Sequence, residues 1–208
     1  GVNMVGFCIS DDEVCCEASK QEIIRRYYTA LNHMAEGAGN EAEVQKIQLL
    51  FQQAKISTDD RKCTVAAKKR RAEAGVDCSA IELHDGTIIT ASSSPLLGTS
   101  ASLLLNAMKH LAGIDHELKL IPQDLIEPIQ KTKVDYLGGR NPRLHTDEVL
   151  VALSVLSKSD ENCRRALSQL PELRGCQAHT TVMVSDVDRT IFKKLGVGLT
   201  CDPARKNN

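Results

Sequence analysis

Cys78-Ser79-Ala80-Ile81-Glu82-Leu83-His84-Asp85-Gly86-Thr87-Ile88-Ile89-Thr90-Ala91 is where the chain changes character. Cys78 to Leu83 reads as a strand, His84-Asp85-Gly86 as a turn, and Thr87 to Ala91 as the returning strand. Asp-Gly between β-rich runs signals a hairpin, because glycine takes the positive φ a tight turn requires. Upstream, the apolar residues recur with helical period. Downstream, strands and helices alternate. The stretch therefore predicts a small helical subdomain over residues 1–76 and an α/β part over 77–208, with helices packed on a mixed sheet.

Working upstream, Thr58 to Ala74 reads as a helix stopped by Gly75. Its Lys68-Lys69-Arg70-Arg71 run reads as a solvated face, since no aromatic residues interleave it. Glu41 to Ala54 is amphipathic, with Val44, Ile47, Leu50, Phe51 and Ala54 inward. A first helix runs to Ala35. Ser10 and Glu13 have capping-box spacing at its start, and Asp11 and Asp12 suit the positive end of its dipole. Val2 to Ile9 reads as an edge strand or a lead-in segment.

Working downstream, Ser92-Ser93-Ser94-Pro95 is a polar loop before a helix from Thr99 to Ala112. A short strand is expected at Leu118 to Ile121, a helix after Pro122, and a loop from Lys131 to Leu144. Helices follow from Thr146 and over Glu161 to Leu170. A strand near Thr180 to Val184, a helix over Val187 to Leu195 and a strand over Gly198 to Cys201 complete the pattern.

Composition excludes several functions. Hydrophobic residues make up 42% but aromatics only 3%, with no Trp, so the core is aliphatic. Single-stranded nucleic-acid binding, which needs stacking platforms, is disfavoured. Net charge is −1, leaving no electrostatic footprint for nucleic acid or an anionic membrane. No apolar run reaches the length of a membrane span. The eight cysteines contain no C-x-x-C pair, and no secretory segment opens the chain. They read as reduced thiols of a cytoplasmic protein. The first residue is Gly1, not Met, so a fragment or processed piece is expected.

Several segments together resemble one bacterial family. They are Gly1 to Phe7, Ala18 to Tyr27, Asp85 to Thr90, Leu105 to Lys109, Gly175 to His179 and Leu199 to Pro203. They are similar to the C-terminal part of the uncharacterised proteins grouped as domain of unknown function 1846. The resemblance implies an αβα sandwich of cytidine-deaminase-like topology beside a small helical subdomain. It also implies a missing N-terminal domain with a phosphate-loop-like segment as partner; a homo-oligomer is expected if the chain is a structural module.

The densest chemistry lies in Gly175-Cys176-Gln177-Ala178-His179-Thr180-Thr181. Zinc deamination needs a His or Cys with a Glu at one helix start and Pro-Cys-x-x-Cys at another. Leu97 to Ala101 offers neither ligand nor acid, so the deaminase-like fold is expected without its zinc motif. Another zinc site would need Cys163, Cys201 or His145 beside Cys176 and His179, a set with no familiar spacing, and no metal is assigned. Thiol catalysis would make Cys176 the nucleophile and His179 the base, provided the segment is a helical turn. If it is extended, the two side chains point to opposite faces.

Ser92, Ser93 and Ser94, with Gly98-Thr99-Ser100, form a second polar cluster. It suits an anion on backbone N–H groups, or ordinary capping by Ser94 or Thr99. Asn106 and Lys109 share a helix face that would line the same cleft. Arg140, in Gly138-Gly139-Arg140-Asn141-Pro142-Arg143, could clamp an anion. No pattern names a cofactor. Two functions are carried forward: a non-catalytic structural and oligomer-building module of a nucleotide-binding protein, and a small-molecule or nucleotide hydrolase built on Cys176 and His179.

Overall fold

A computed structural model describes residues 11–204. The expected Val2–Ile9 segment and the Ser10 cap lie outside the described residues. The chain forms two compact units, Gly1–Arg61 and Lys62–Asn208.

In the first unit, α1 (Asp12–Ala35) and α2 (Glu41–Ala54) make a helical hairpin. Asp11 is the N-cap of α1 and accepts from the Val14 N–H at 3.0 Å. Asn40 caps α2 through the Ala42 N–H at 2.8 Å. Both caps satisfy amides that the first helical turn leaves without carbonyl partners. Ala30, Val44 and Ile47 are buried between the helices, with Tyr27 and Phe51 packed on them.

The second unit is built on one sheet. The hairpin forms as expected: β1 (Cys78–Glu82) and β2 (Ile88–Ser92) pair antiparallel. β1 also pairs antiparallel with β3 (Gln177–Thr180), and β3 pairs parallel with β4 (Gly198–Cys201). The strand order is β2-β1-β3-β4, and β1 alone runs against the other three.

Alternation along the strands sends side chains to two layers. Ala80 joins Cys63 and Ala67 of α3 (Lys62–Ala74), which covers one face. Ile81, Ala91 and Ala178 join the main core on the other. That core holds Leu103, Leu104, Ala107 and Met108 of α4 (Thr99–Leu111). It also takes Ile126 of α5 (Gln123–Lys131) and Val149 and Leu153 of α6 (Thr146–Leu156). Cys163 and Ala166 of α7 (Glu161–Leu167) and Phe192 of α8 (Asp186–Lys194) complete it.

Several local expectations differ: the helix expected from Thr58 begins at Lys62, after a 3-10 turn over Thr58–Asp60, and the loop expected from Lys131 holds a π-helical turn over Thr132–Tyr136. α3 packs against β1 and so belongs to the sheet unit, although its helical period groups it with the segments upstream. Leu118 to Ile121 forms no strand; Leu120 and Ile121 are buried as loop residues. The Val-rich run at 180–184 is not the third strand. β3 lies earlier, and Thr181 ends its pairing with β1: its hydroxyl accepts from the Cys78 N–H at 3.0 Å.

Candidate functional site

The Gly175–Thr181 corner is extended. Gly175 has φ +88°, which turns the chain out of the Leu170–Leu173 turn and into β3. Cys176 lies in the main core, 2% exposed, and its carbonyl accepts from the Gly198 N–H. His179 is paired with Ala80, the β1 residue that packs on α3, so it points to the opposite face. The two side chains therefore share no cleft. Burial pushes the Cys176 thiol up, with Asp85 and Glu82 adding to it against an opposing hydrogen bond from the His84 backbone. A raised thiol is a poor nucleophile, since the thiolate is the reactive form.

His179 is fully buried and held at both ends. Its Nδ1 lies 2.9 Å from Thr200 Oγ1, and its Nε2 lies 3.5 Å from Asp202 Oδ1. Asp202 also faces Lys68 of α3 at 3.8 Å. Burial opposes ionisation of Asp202, but the His179 hydrogen bond, the His179 charge and the nearby Lys68 and Arg71 outweigh it and hold its pKa below the ordinary value.

The serine loop is used locally. Ser92 Oγ lies 3.3 Å from Cys78 Sγ, and the Ser93 N–H donates to the Asp77 carbonyl. Ser94 Oγ accepts from the N–H groups of Leu96 and Leu97 and closes the turn. The N-cap of α4 is Gly98, with no side-chain cap; Thr99 Oγ1 donates instead to Ser79 Oγ at 2.8 Å.

Asn106 and Lys109 do come together, in a recess of about 280 Å³ beside the edge strand β2. His110, Ile114 and His116 line it with them, while Ser92 to Ser94 do not. Asn106 Nδ2 donates to the Thr90 carbonyl at 3.0 Å. Lys109 Nζ donates to the carbonyls of His116 and Leu118. Arg140 is exposed on its loop, away from this recess.

The sequence reading passes over the best-connected polar cluster. His145, the N-cap of α6, meets Asp188 of α8: Nδ1 lies 3.1 Å from Oδ2. Asp188 Oδ1 accepts from the Thr146 N–H at 3.0 Å and its hydroxyl at 2.9 Å, and Ser185 Oγ donates to Oδ2 at 3.0 Å. Burial opposes the Asp188 charge, but the bonds from His145 and Thr146 win and keep its pKa low. Ser, His and Asp suggest a catalytic triad, yet Ser185 and Asp188 both approach Nδ1. A triad needs the serine on one ring nitrogen and the acid on the other. The cluster instead stitches the starts of two helices together. The only local sign of it is the Ser185–Asp188 cap spacing; the link to His145 spans 43 residues.

Among the described residues no group of three or more His, Cys, Asp or Glu could hold a metal ion. The fold and these sites thus define an α/β domain on a four-stranded mixed sheet, joined to a helical hairpin. The family model "Domain of unknown function DUF1846, C-terminal" matches residues 59–208, and its N-terminal counterpart matches residues 1–55. The chain belongs to this family.

It is 54% identical over its whole length to a UPF0371 protein of Corynebacterium aurimucosum, and covers 42% of that protein. A UPF0371 protein of Corynebacterium urealyticum is 51% identical over 98% of the chain and 41% of its own length. One from Streptococcus pneumoniae is 47% identical over 98% and 41%. The chain therefore spans about two-fifths of the length of these bacterial relatives.

One expectation is corrected. The chain is not confined to the C-terminal part of the family, because residues 1–55 match the N-terminal domain. That domain is thus no separate, missing partner. The two matches meet between residues 55 and 59, close to the division between the packed units. The sequence reading put the change at 76 because helical period, not packing, was its guide.

Proposed function

We propose that this chain is a non-catalytic structural and oligomer-building module of a longer bacterial protein. The observation that carries the reading is the disposition of Cys176 and His179. Both are buried, they point to opposite faces of the sheet, and both bond within the fold. The hydrolase reading depends on the two meeting, and so loses its support. The strand order, with β1 alone reversed, favours a cytidine-deaminase-like sandwich as the scaffold. The seven cysteines among the described residues form no disulfide with one another, which favours a reducing, cytoplasmic setting. The assembly half of the reading draws on α6, where Val151 and Val155, four residues apart, are each 65% exposed.

The test is thiol labelling of the native protein by an iodoacetamide probe, with sites read by mass spectrometry. Cys16 and Cys15, exposed and half-buried, should label first, with Cys176 at least about ten-fold slower. Rapid labelling of Cys176 that is lost in His179→Gln would restore the enzyme reading. Light scattering on the eluting protein tests assembly, and a strict monomer would remove that half.

A further inference from the structure

Lys109 is an anomaly in charge balance. It is 7% exposed, and among the described residues no carboxylate lies within 4 Å of its ammonium. Lys133 makes the useful comparison. It too donates to a backbone carbonyl, that of Arg143 at 2.8 Å, but Glu148 stands 2.8 Å from the same nitrogen. A buried cation without a counter-charge is costly, and binding an anion offsets that cost. Burial already draws the Lys109 pKa down; Asp115 and Glu117 oppose this only partly.

The recess beside Lys109 has the matching chemistry. Its polar lining is Thr90, Asn106, His110 and His116, with no acidic side chain. An ammonium has three N–H donors, and Lys109 spends two on the His116 and Leu118 carbonyls. The two imidazoles supply further donors at the rim. A volume of about 280 Å³ sits at the lower end of small-molecule sites, so the ligand is small.

We propose that this recess binds a small phosphate-bearing molecule, with Lys109 as counter-charge and His110 and His116 as rim donors. A phosphate is preferred to a carboxylate because a tetrahedral dianion can accept from three donor groups lining one recess better than a planar monoanion can. This site is separate from the corner at Cys176 and does not depend on how the module's function is read.

The experiment is calorimetric titration of the whole chain with inorganic phosphate, against acetate and chloride at equal ionic strength. Saturable binding of phosphate is expected, stronger than that of acetate. Lys109→Met should abolish it, and His110→Gln with His116→Gln should weaken it about ten-fold. Because Lys109 also anchors a loop, the histidine pair, both exposed, serves as the variant that keeps its fold. No saturable phosphate binding, binding equal to acetate, or binding unchanged in the histidine variant would each overturn the proposal.

Discussion

Asp188 shows what one buried carboxylate does in this molecule. It is 3% exposed yet accepts from three residues: Thr146, His145 and Ser185. Its carboxylate, on α8, lies against the first N–H of α6 and so meets the favourable end of that helix dipole. Asp188→Asn removes the charge and leaves at least one donor poorly matched. We expect a loss of about 2–3 kcal/mol in urea denaturation at neutral pH. The pH dependence has a defined sign. The folded pKa lies below the unfolded value of about 3.9, so the contribution is present above that value. It is lost as pH falls through the folded pKa. The gap between wild type and Asp188→Asn should be flat near neutrality and shrink below about pH 4. Asp202 titrates with the same sign, so the difference between the two proteins, not the wild-type curve alone, isolates Asp188. A gap that stayed constant into acid would mean the carboxylate is not what the cluster needs.

Two turns set the register of the sheet, and they differ in how tightly they are built. Gly86 and Gly175 both have positive φ, +82° and +88°. A side chain at Gly86 would meet nothing within 4 Å, whereas a Cβ at Gly175 would stand 3.2 Å from His84 Cε1. That histidine is itself fixed, with Nε2 2.8 Å from the Arg174 carbonyl. Gly175→Ala should therefore cost about 1–2 kcal/mol, and Gly86→Asn only a few tenths, as read by thermal unfolding. Equal costs would show that His84 yields to the added methyl. The hairpin at Gly86 was legible because its turn chemistry is local. The caps of α7 and α8, Asp160 and Ser185, went unread, although each stands just before its helix. The start of β3 was not legible. Val182 and Val184 are as apolar as a strand but lie beyond the end of β1, so they are buried without a ladder partner. That shift decides the fate of the Cys176–His179 pair, because alternation in an extended segment separates residues three apart.

At the scale of the molecule, the two units differ in what each buries. Helical period in the sequence identified both α2 and α4, but it could not say that α4 faces a sheet and α2 mainly α1. That difference is tertiary, and so were the Asp188 cluster and the Lys109 recess, whose parts meet only after folding. α2 buries Val44 and Ile47 and leaves Leu49 and Leu50 56% and 45% exposed. β1 and β3, by contrast, are covered on both faces, and Ser79, Ala80, Ala178, His179 and Thr180 are all fully buried. Opening free energy follows the apolar surface that must be exposed, so α2 amides should exchange with solvent through small local openings. Amides of β1 and β3 should need the opening of the whole sheet unit. In hydrogen exchange followed by mass spectrometry, peptides covering Cys78–Glu82 and Gln177–Thr180 should exchange at least about a hundred-fold more slowly than those covering Glu41–Ala54. Matching rates would mean that the hairpin and the sheet unit open together as one cooperative body. Slower exchange in α2 would mean that its small described cluster of Ala30, Val44 and Ile47 greatly understates what holds it.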